Sequence, residues 1–410
     1  MSIDSGLDSI LSDHQLPIAP AGSIGMDEGR LQRISGLVQR YVDQRLIPGA
    51  VTMVARRGKI CHFDANGYAD VEAKRPFYGD SIFRIASMTK PITSVALMQL
   101  FEDGLLQLND PIAKYLPAFA KMKVCVDTDD GQTKLIDADK PITVRHILTH
   151  TAGFATQYNP KNQAALNEAM RFRSRNEVIG DFVNRLADIP LNHQPGDVWD
   201  YSRSTCVVGH LVEVLSGQSL AEYFQKRIFD PLEMNDTHFF LPEEKLPRFA
   251  VAYGPGEDKT IQISDPASTK SFFASQPGQY FMGSGGLVST APDYFKFANA
   301  LMQNGQHKNG QLLSRKTIEL MTMNQIGNRW VWLGGAGQGF GLGFGISMDR
   351  GKSHTMATEG SYTWGGAFCT YWWNDPVEQL FGMILTQLRP YDHLNLRMDF
   401  QNIVTSSIID

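Results

Sequence analysis

The segment from Ser87 to Asp103 constrains the fold of this chain more than any other. From Ile92 to Phe101 it is almost wholly apolar, it has helical length, and Gly104 stops it. A helix apolar on most of its surface cannot sit on a surface; it belongs inside a domain, covered on all sides. The rest of the chain must supply that cover. At 410 residues, 42% hydrophobic and 20% charged, it is long enough to build such an interior without a disulfide or metal staple.

Candidates for the cover lie at both ends of the chain. Residues 1–25 are rich in Ser, Gly and Pro and read as an extended lead-in. From Asp27 to Leu46, apolar residues recur at helical spacing until Pro48-Gly49. Two β-rich runs follow, Ala50–Ala55 and Lys59–Asp64, joined at Arg57-Gly58 as a hairpin. Strand character returns late, at Gly343–Met348, Gly366–Trp373 and Gln379–Thr386, before a closing helix over His393–Ile409. Between these ends the pattern is mostly helical, with candidates at Thr143–Thr149, Glu177–Leu186 and Thr205–Leu215 and a polar surface excursion at Asp127–Lys140. A helix is also expected to open at Pro292, a favourable first-turn position for proline. The expected class is α+β: an antiparallel sheet flanked by N- and C-terminal helices, with an inserted, mostly α-helical domain. The expected division is 26–110 with 270–410 as one discontinuous domain, and 111–269 as the insert.

Composition excludes several functions. A net charge of −5 gives no broad basic field for nucleic acid or an anionic membrane. No apolar run reaches the roughly 18 residues that span a bilayer. Cys61, Cys125, Cys206 and Cys369 are scattered without metal-ligand or disulfide spacing, so no metal or cofactor is expected. His146 and His150 lack a third ligand nearby and read as packing residues. The opening residues Met1–Ser5 carry no secretory signal, so a cytoplasmic protein is expected. A homo-oligomer is left open.

Three short elements carry chemistry. Ser87-Met88-Thr89-Lys90 is the one Ser-x-x-Lys in the chain, a short motif that needs context. Its context is the start of the buried helix, where spacing of three puts both side chains on one face and free backbone N–H groups favour a developing oxyanion. A desolvated lysine there can act as a general base. The second element is Pro195-Gly196-Asp197-Val198-Trp199-Asp200-Tyr201-Ser202, a turn leading to a tyrosine. Tyr201 becomes a base at neutral pH only if a cation such as Lys90 lowers its pKa. The third is Trp364-Gly365-Gly366-Ala367, read as glycines opening a strand where substrate approaches the backbone. There the N–H of Ala367 can join that of Ser87 as an oxyanion donor. No Gly-x-Ser-x-Gly of the α/β-hydrolases occurs. Gly337–Gly343 lacks the strand–turn–helix setting of a dinucleotide site. Phe154 or Tyr158 is expected to line a pocket.

Together these elements resemble the family VIII carboxylesterases, relatives of class C β-lactamases and D-Ala-D-Ala carboxypeptidases with the serine β-lactamase-like fold. Phe83-Arg84-Ile85-Ala86, Asp110-Pro111-Ile112, Arg145–Gly153 and Gly283-Ser284-Gly285-Gly286-Leu287 agree with that resemblance over roughly residues 26–405. It implies Ser87 as nucleophile, Lys90 and Tyr201 as its proton partners, an oxyanion hole from the N–H groups of Ser87 and Ala367, and substrate contact at Trp364, Gly365 and Gly366. Ser361, after Gly360, is the alternative second donor. The lactamases and penicillin-binding proteins carry Lys-Thr-Gly where Trp364 stands, and an indole does not bind the carboxylate of a β-lactam. Tyr201-Ser202-Arg203 replaces their Tyr-x-Asn. The resemblance therefore implies a carboxylesterase acting on small, neutral esters without a cofactor, with acyl transfer or weak lactamase and carboxypeptidase-like hydrolysis as the alternatives.

Overall fold

A computed structural model describes residues 7–128, 131–174, 176–256, 260–274, 278–353 and 355–410. The opening residues on which the absent signal was read, and part of the Asp127–Lys140 excursion, lie outside the described residues.

The lead-in is not extended where it is described. Residues Leu7–Asp13 form α1, which buries Leu11, and Ala21–Ile24 form a 3-10 turn. The next helical stretch is broken at Gln32 into Glu28–Leu31 and α2, Arg33–Asp43. Asp27 caps it by accepting the N–H of Arg30 at 2.8 Å.

Strands β1 (Gly49–Arg56) and β2 (Lys59–Asp70) form the expected hairpin. Arg57 and Gly58 both have positive φ, as a two-residue hairpin turn requires. With β3 (Arg75–Pro76), β4 (Gln338–Phe340), β5 (Gly345–Ser347), β6 (Tyr362–Gly365), β7 (Tyr371–Asp375) and β8 (Leu380–Leu385) they make one eight-stranded sheet. Its order is β4-β5-β6-β7-β8-β1-β2-β3, antiparallel throughout, so β1 from one end of the chain pairs with β8 from the other. Successive side chains of a strand face opposite ways. Trp372 therefore joins the core beneath the sheet, whereas Trp373 joins the cluster formed with α2 and the C-terminal helix.

The buried helix α3 (Thr89–Glu102) lies in that inner core, every side chain from Thr89 to Leu100 buried. It is preceded by a 3-10 turn, Ala86–Met88. Helices Val144–Leu148, Ile179–Ala187 and α4 (Ser204–Ser216) form much of the insert. The polar excursion is a two-stranded hairpin, Lys123–Asp127 with Thr133–Asp137. Helix α5 (Ala291–Met302) covers the inner face, and α6 (Leu396–Ser406) packs with α2 on the outer face. Among the described residues no helix is long and apolar enough to cross a membrane.

The third motif is placed differently from the strand expected over Gly366–Trp373. Trp364 and Gly365 close β6, and 366–370 turn the chain into β7. The aromatic run on either side of the glycines serves two paired strands, not one.

The segment before Ser87 is clamped on several sides. Phe83 and Arg84 pair with Ser289 and Val288. The Gln387 side chain accepts the N–H of Arg84 at 3.1 Å and donates to its carbonyl at 3.2 Å, imitating a neighbouring strand. The fully buried Arg84 guanidinium binds Asp265 at 2.7 Å and lies 4.0 Å over the Phe249 ring. Gln387→Ala leaves two buried backbone groups unpaired, so it is expected to cost about 2–3 kcal/mol in urea unfolding. An unchanged midpoint would show that the clamp carries no stability.

Candidate active site

Three elements bring their side chains to one point. Ala86 has a φ of +43°, a conformation alanine rarely adopts, and it holds the next residue, Ser87, at the foot of α3. Lys90, one turn on, donates its Nζ to Ser87 Oγ at 3.0 Å and to the carbonyl of Ser284 at 2.5 Å. Tyr201, just before α4, donates its hydroxyl to the same Ser87 Oγ at 2.9 Å. The Lys90 amine lies 4.8 Å over the Tyr201 ring. Trp364 from the end of β6 directs Nε1 at the Tyr201 hydroxyl, 3.4 Å away.

Tyr201 is fixed by its surroundings. Its ring packs on His150, Trp199 and Trp364. Its carbonyl accepts from Thr156 Oγ1 at 2.6 Å. His150 Nδ1 accepts the N–H of Ser202 at 3.3 Å, and the His150 carbonyl accepts from Asp200. Burial holds His150 well below its ordinary pKa, and the nearby Lys90 charge adds to that. His146 instead accepts the N–H of Thr143 at the start of its helix. Among the described residues no group of three His, Cys, Asp or Glu side chains is arranged to hold a metal ion.

Burial controls the proton chemistry. The Lys90 pKa falls from 10.5 to about 7, chiefly by desolvation, with the Arg203 charge acting in the same direction. A large fraction of the amine is therefore neutral at neutral pH. Tyr201 moves the opposite way from the sequence expectation. Desolvation pushes it up to about 12, against hydrogen bonds from Ser87 and Trp364 and the charge of Arg203. The expected cation is largely discharged by its own burial, and the phenol loses its water. Lys90 is thus able to accept a proton near pH 7, and Tyr201 to donate one.

The backbone beside Ser87 is shaped by Gly366. Its N–H bonds the Thr370 carbonyl at 2.8 Å, and Arg397 from α6 donates to the carbonyls of Gly366 and Thr370. A Cβ on Gly366 would overlap the Ile85 carbonyl oxygen and the Thr370 hydroxyl, so the turn lies against the segment that carries Ser87. Ala367 lines both lobes of the cleft next to Ser87. Among the described residues neither the Ser87 nor the Ala367 N–H has a protein acceptor. Ser361 lies three residues before Trp364, about 10 Å along an extended chain. Its N–H is already bonded to the Thr358 carbonyl at 3.0 Å.

Of the aromatic residues expected in the pocket, Tyr158 lines both lobes, whereas Phe154 is buried in the core against Phe119. Sequence reasoning missed the parts played by Ser284, Thr156 and Arg397. Ser284 lies in a Gly-Ser-Gly-Gly run that signals close packing. Nothing local to Arg397 signals its contact with a turn formed around residue 366.

The site sits within a chain whose relatives are known. Residues 34–402 match the Beta-lactamase family, and the chain belongs to it. It is 32% identical over 365 residues to an uncharacterized protein of Mycobacterium tuberculosis, covering 86% of this chain and 89% of that one. It is 29% identical over 372 residues to esterase EstB of Burkholderia gladioli, with the same coverage of each. Among solved structures it resembles EstCE1, a hydrolase with promiscuous acyltransferase activity, at a TM-score of 0.78 and 26% identity, covering 92% and 98% of the two chains. The fold is that of the serine β-lactamase-like proteins.

The site geometry has measurable consequences. With the neutral Lys90 amine as the proton acceptor, kcat/KM should rise with pH to a plateau above about 7. The unfolded chain binds this proton up to about 10.5, so between about 7 and 10.5 the buried amine's contribution to stability improves as pH rises. Lys90→Ala should accordingly lose roughly a thousandfold or more in kcat with no drop in Tm at pH 7. A rate independent of pH from 5 to 9, or near-normal turnover in the variant, would contradict this. Gly366→Ala should lower kcat about a hundredfold by displacing the turn, with the larger effect on kcat than on KM. An unchanged kcat would detach this turn from the reaction.

Proposed function

We propose that this protein is a serine carboxylesterase that passes through an acyl-enzyme on Ser87. The observation that carries the reading is the convergence of Lys90 Nζ and Tyr201 OH on one serine oxygen, at 3.0 and 2.9 Å, next to the N–H groups of Ser87 and Ala367, which have no protein acceptor among the described residues.

In this reading Ser87 Oγ attacks the ester carbonyl carbon as its proton passes to the neutral Lys90 amine. The carbonyl oxygen becomes an oxyanion, held by the N–H groups of Ser87 and Ala367. As the C–O bond breaks, Tyr201 gives its proton to the departing alkoxide and regains one from the Lys90 ammonium. Water then attacks the acyl-serine, losing a proton to Lys90; as the acyl C–Oγ bond breaks, the Lys90 ammonium returns that proton to Ser87 Oγ, and the acid leaves with serine and neutral amine restored. Trp364, Gly365 and Gly366 form the substrate wall on the β6 side. Trp364 donates to Tyr201 and brings no positive charge, so a β-lactam carboxylate finds no lysine there; this supports ester over lactam chemistry. The similarity to EstB and to EstCE1 supports the same reading. Because EstCE1 is a hydrolase with promiscuous acyltransferase activity, that similarity also supports acyl transfer to an alcohol as a second outcome of the same intermediate.

Intact-mass measurement after exposure to a 4-nitrophenyl phosphonate should find one adduct, on Ser87, and none in Ser87→Ala. An adduct that persists in Ser87→Ala would refute the assignment. Short-chain 4-nitrophenyl esters should be turned over at least a hundredfold faster than nitrocefin, a discrimination of about 3 kcal/mol.

A further inference from the structure

The cleft beside Ser87 has a second lobe, a recess of about 250 Å³ on the Lys90 side. Two arginines line it: half-buried Arg203, two residues after Tyr201, and exposed Arg389, shortly after β8. No Asp or Glu is among the residues lining it. Other arginines near the interior have protein partners: Arg84 pairs with Asp265, Arg56 with Glu378 and Asp410, and Arg248 with Asp80 and Asp236, while Arg75, Arg145 and Arg397 donate to carbonyl or amide oxygens. Among the described residues, neither Arg203 nor Arg389 has an ion pair or a side-chain hydrogen bond to protein. The pKa of Tyr158, at the junction of the two lobes, is pushed up by burial, and both guanidinium charges act against that shift. The remaining wall combines apolar side chains, Leu166, Phe273, Met282 and Phe368, with the uncharged polar side chains of Thr156, Gln157, Ser202 and Ser284.

Two guanidinium groups without ion-pair partners, lining one recess that holds no carboxylate and borders Ser87, can make a receptor for a planar anion. Arginine presents a fork of donors that matches a carboxylate, and partial burial strengthens such charge-assisted bonds. We propose that Arg203 and Arg389 bind a carboxylate carried by the substrate, so the preferred ester is anionic and not neutral. Trp364 removes a cation from the β6 side of the cleft; Arg203, in the place of the lactamase asparagine, supplies one from the opposite wall. That the anion belongs to an ester rests on the acyl-serine reading. The anion site itself stands without it.

The test compares 4-nitrophenyl butyrate with mono-4-nitrophenyl glutarate, which carries the charge on the acyl side, and with 4-butyryloxybenzoate, which carries it on the leaving side. Each is measured in the wild type, Arg203→Gln, Arg389→Gln and the Arg203→Lys variant. The readout is the ratio of kcat/KM for the anionic ester to that for the neutral one within each protein. At least one anionic ester should show a ratio that falls about tenfold or more in each Gln variant, with partial recovery in Arg203→Lys. Which ester responds identifies the half of the substrate that bears the charge. Glutarate titrated calorimetrically gives a readout independent of turnover: it should bind the wild type and bind about tenfold more weakly to the Gln variants. Flat ratios for both anionic esters, with glutarate binding absent or equal in all proteins, would overturn the proposal. Glutarate binding lost in the Gln variants while no ester is turned over by any protein would uphold the anion site and sink the acyl-serine reading instead.

Discussion

Everything in the site depends on one costly arrangement, an amine buried at the foot of an apolar helix. In water a lysine amine is protonated and inert. Placed under the Tyr201 ring, with Ser87 Oγ and the Ser284 carbonyl as its partners and Arg203 nearby, it gives up its proton near pH 7. The same dehydration keeps the Tyr201 phenol protonated. A base and an acid thus share one serine oxygen, their roles divided by the opposite effects of burial on a cation and on a phenol.

The fold supplies the burial. Helix α3 brings the lysine into the interior because every side chain from Thr89 to Leu100 is buried. The sheet that covers it joins β1 and β8 from opposite ends of the chain, and the insert contributes Tyr201 and the rings of His150 and Trp199 around it. The turn after β6 that lies against the Ser87 segment is held by Arg397 from α6. Residues separated by hundreds of positions therefore meet within a few ångströms of Ser87. A strained Ala86, clamped through Arg84 by Gln387, fixes the serine against them.

What could be read from the chain alone follows the same division. Features set by neighbours in sequence were legible: the mostly apolar α3, the Arg57-Gly58 hairpin, the Ser87–Lys90 spacing and the helix at Pro292. Features set by distant contacts were not. Trp364-Gly365-Gly366 looked like the opening of a strand because both flanks are aromatic; pairing shows it closing one strand before another begins. The lead-in and the polar excursion adopt regular structure through packing and pairing that their composition does not advertise. Tyr201 was found by its motif, but the direction of its pKa was not, because that depends on how completely the fold strips water from it. Arg203 was visible as a departure from a pattern; its lack of a partner became visible only with the walls of the recess in place.

The division of roles between Lys90 and Tyr201 requires that Lys90 be neutral near physiological pH in the folded protein. Nuclear magnetic resonance of protein labelled with carbon-13 at the lysine ε position reads that charge state, with the Lys90 signal assigned by its loss in Lys90→Ala. This one resonance should titrate near pH 7 while exposed lysines titrate above about 10. A Lys90 resonance that stays in its ammonium position up to pH 9 would contradict it.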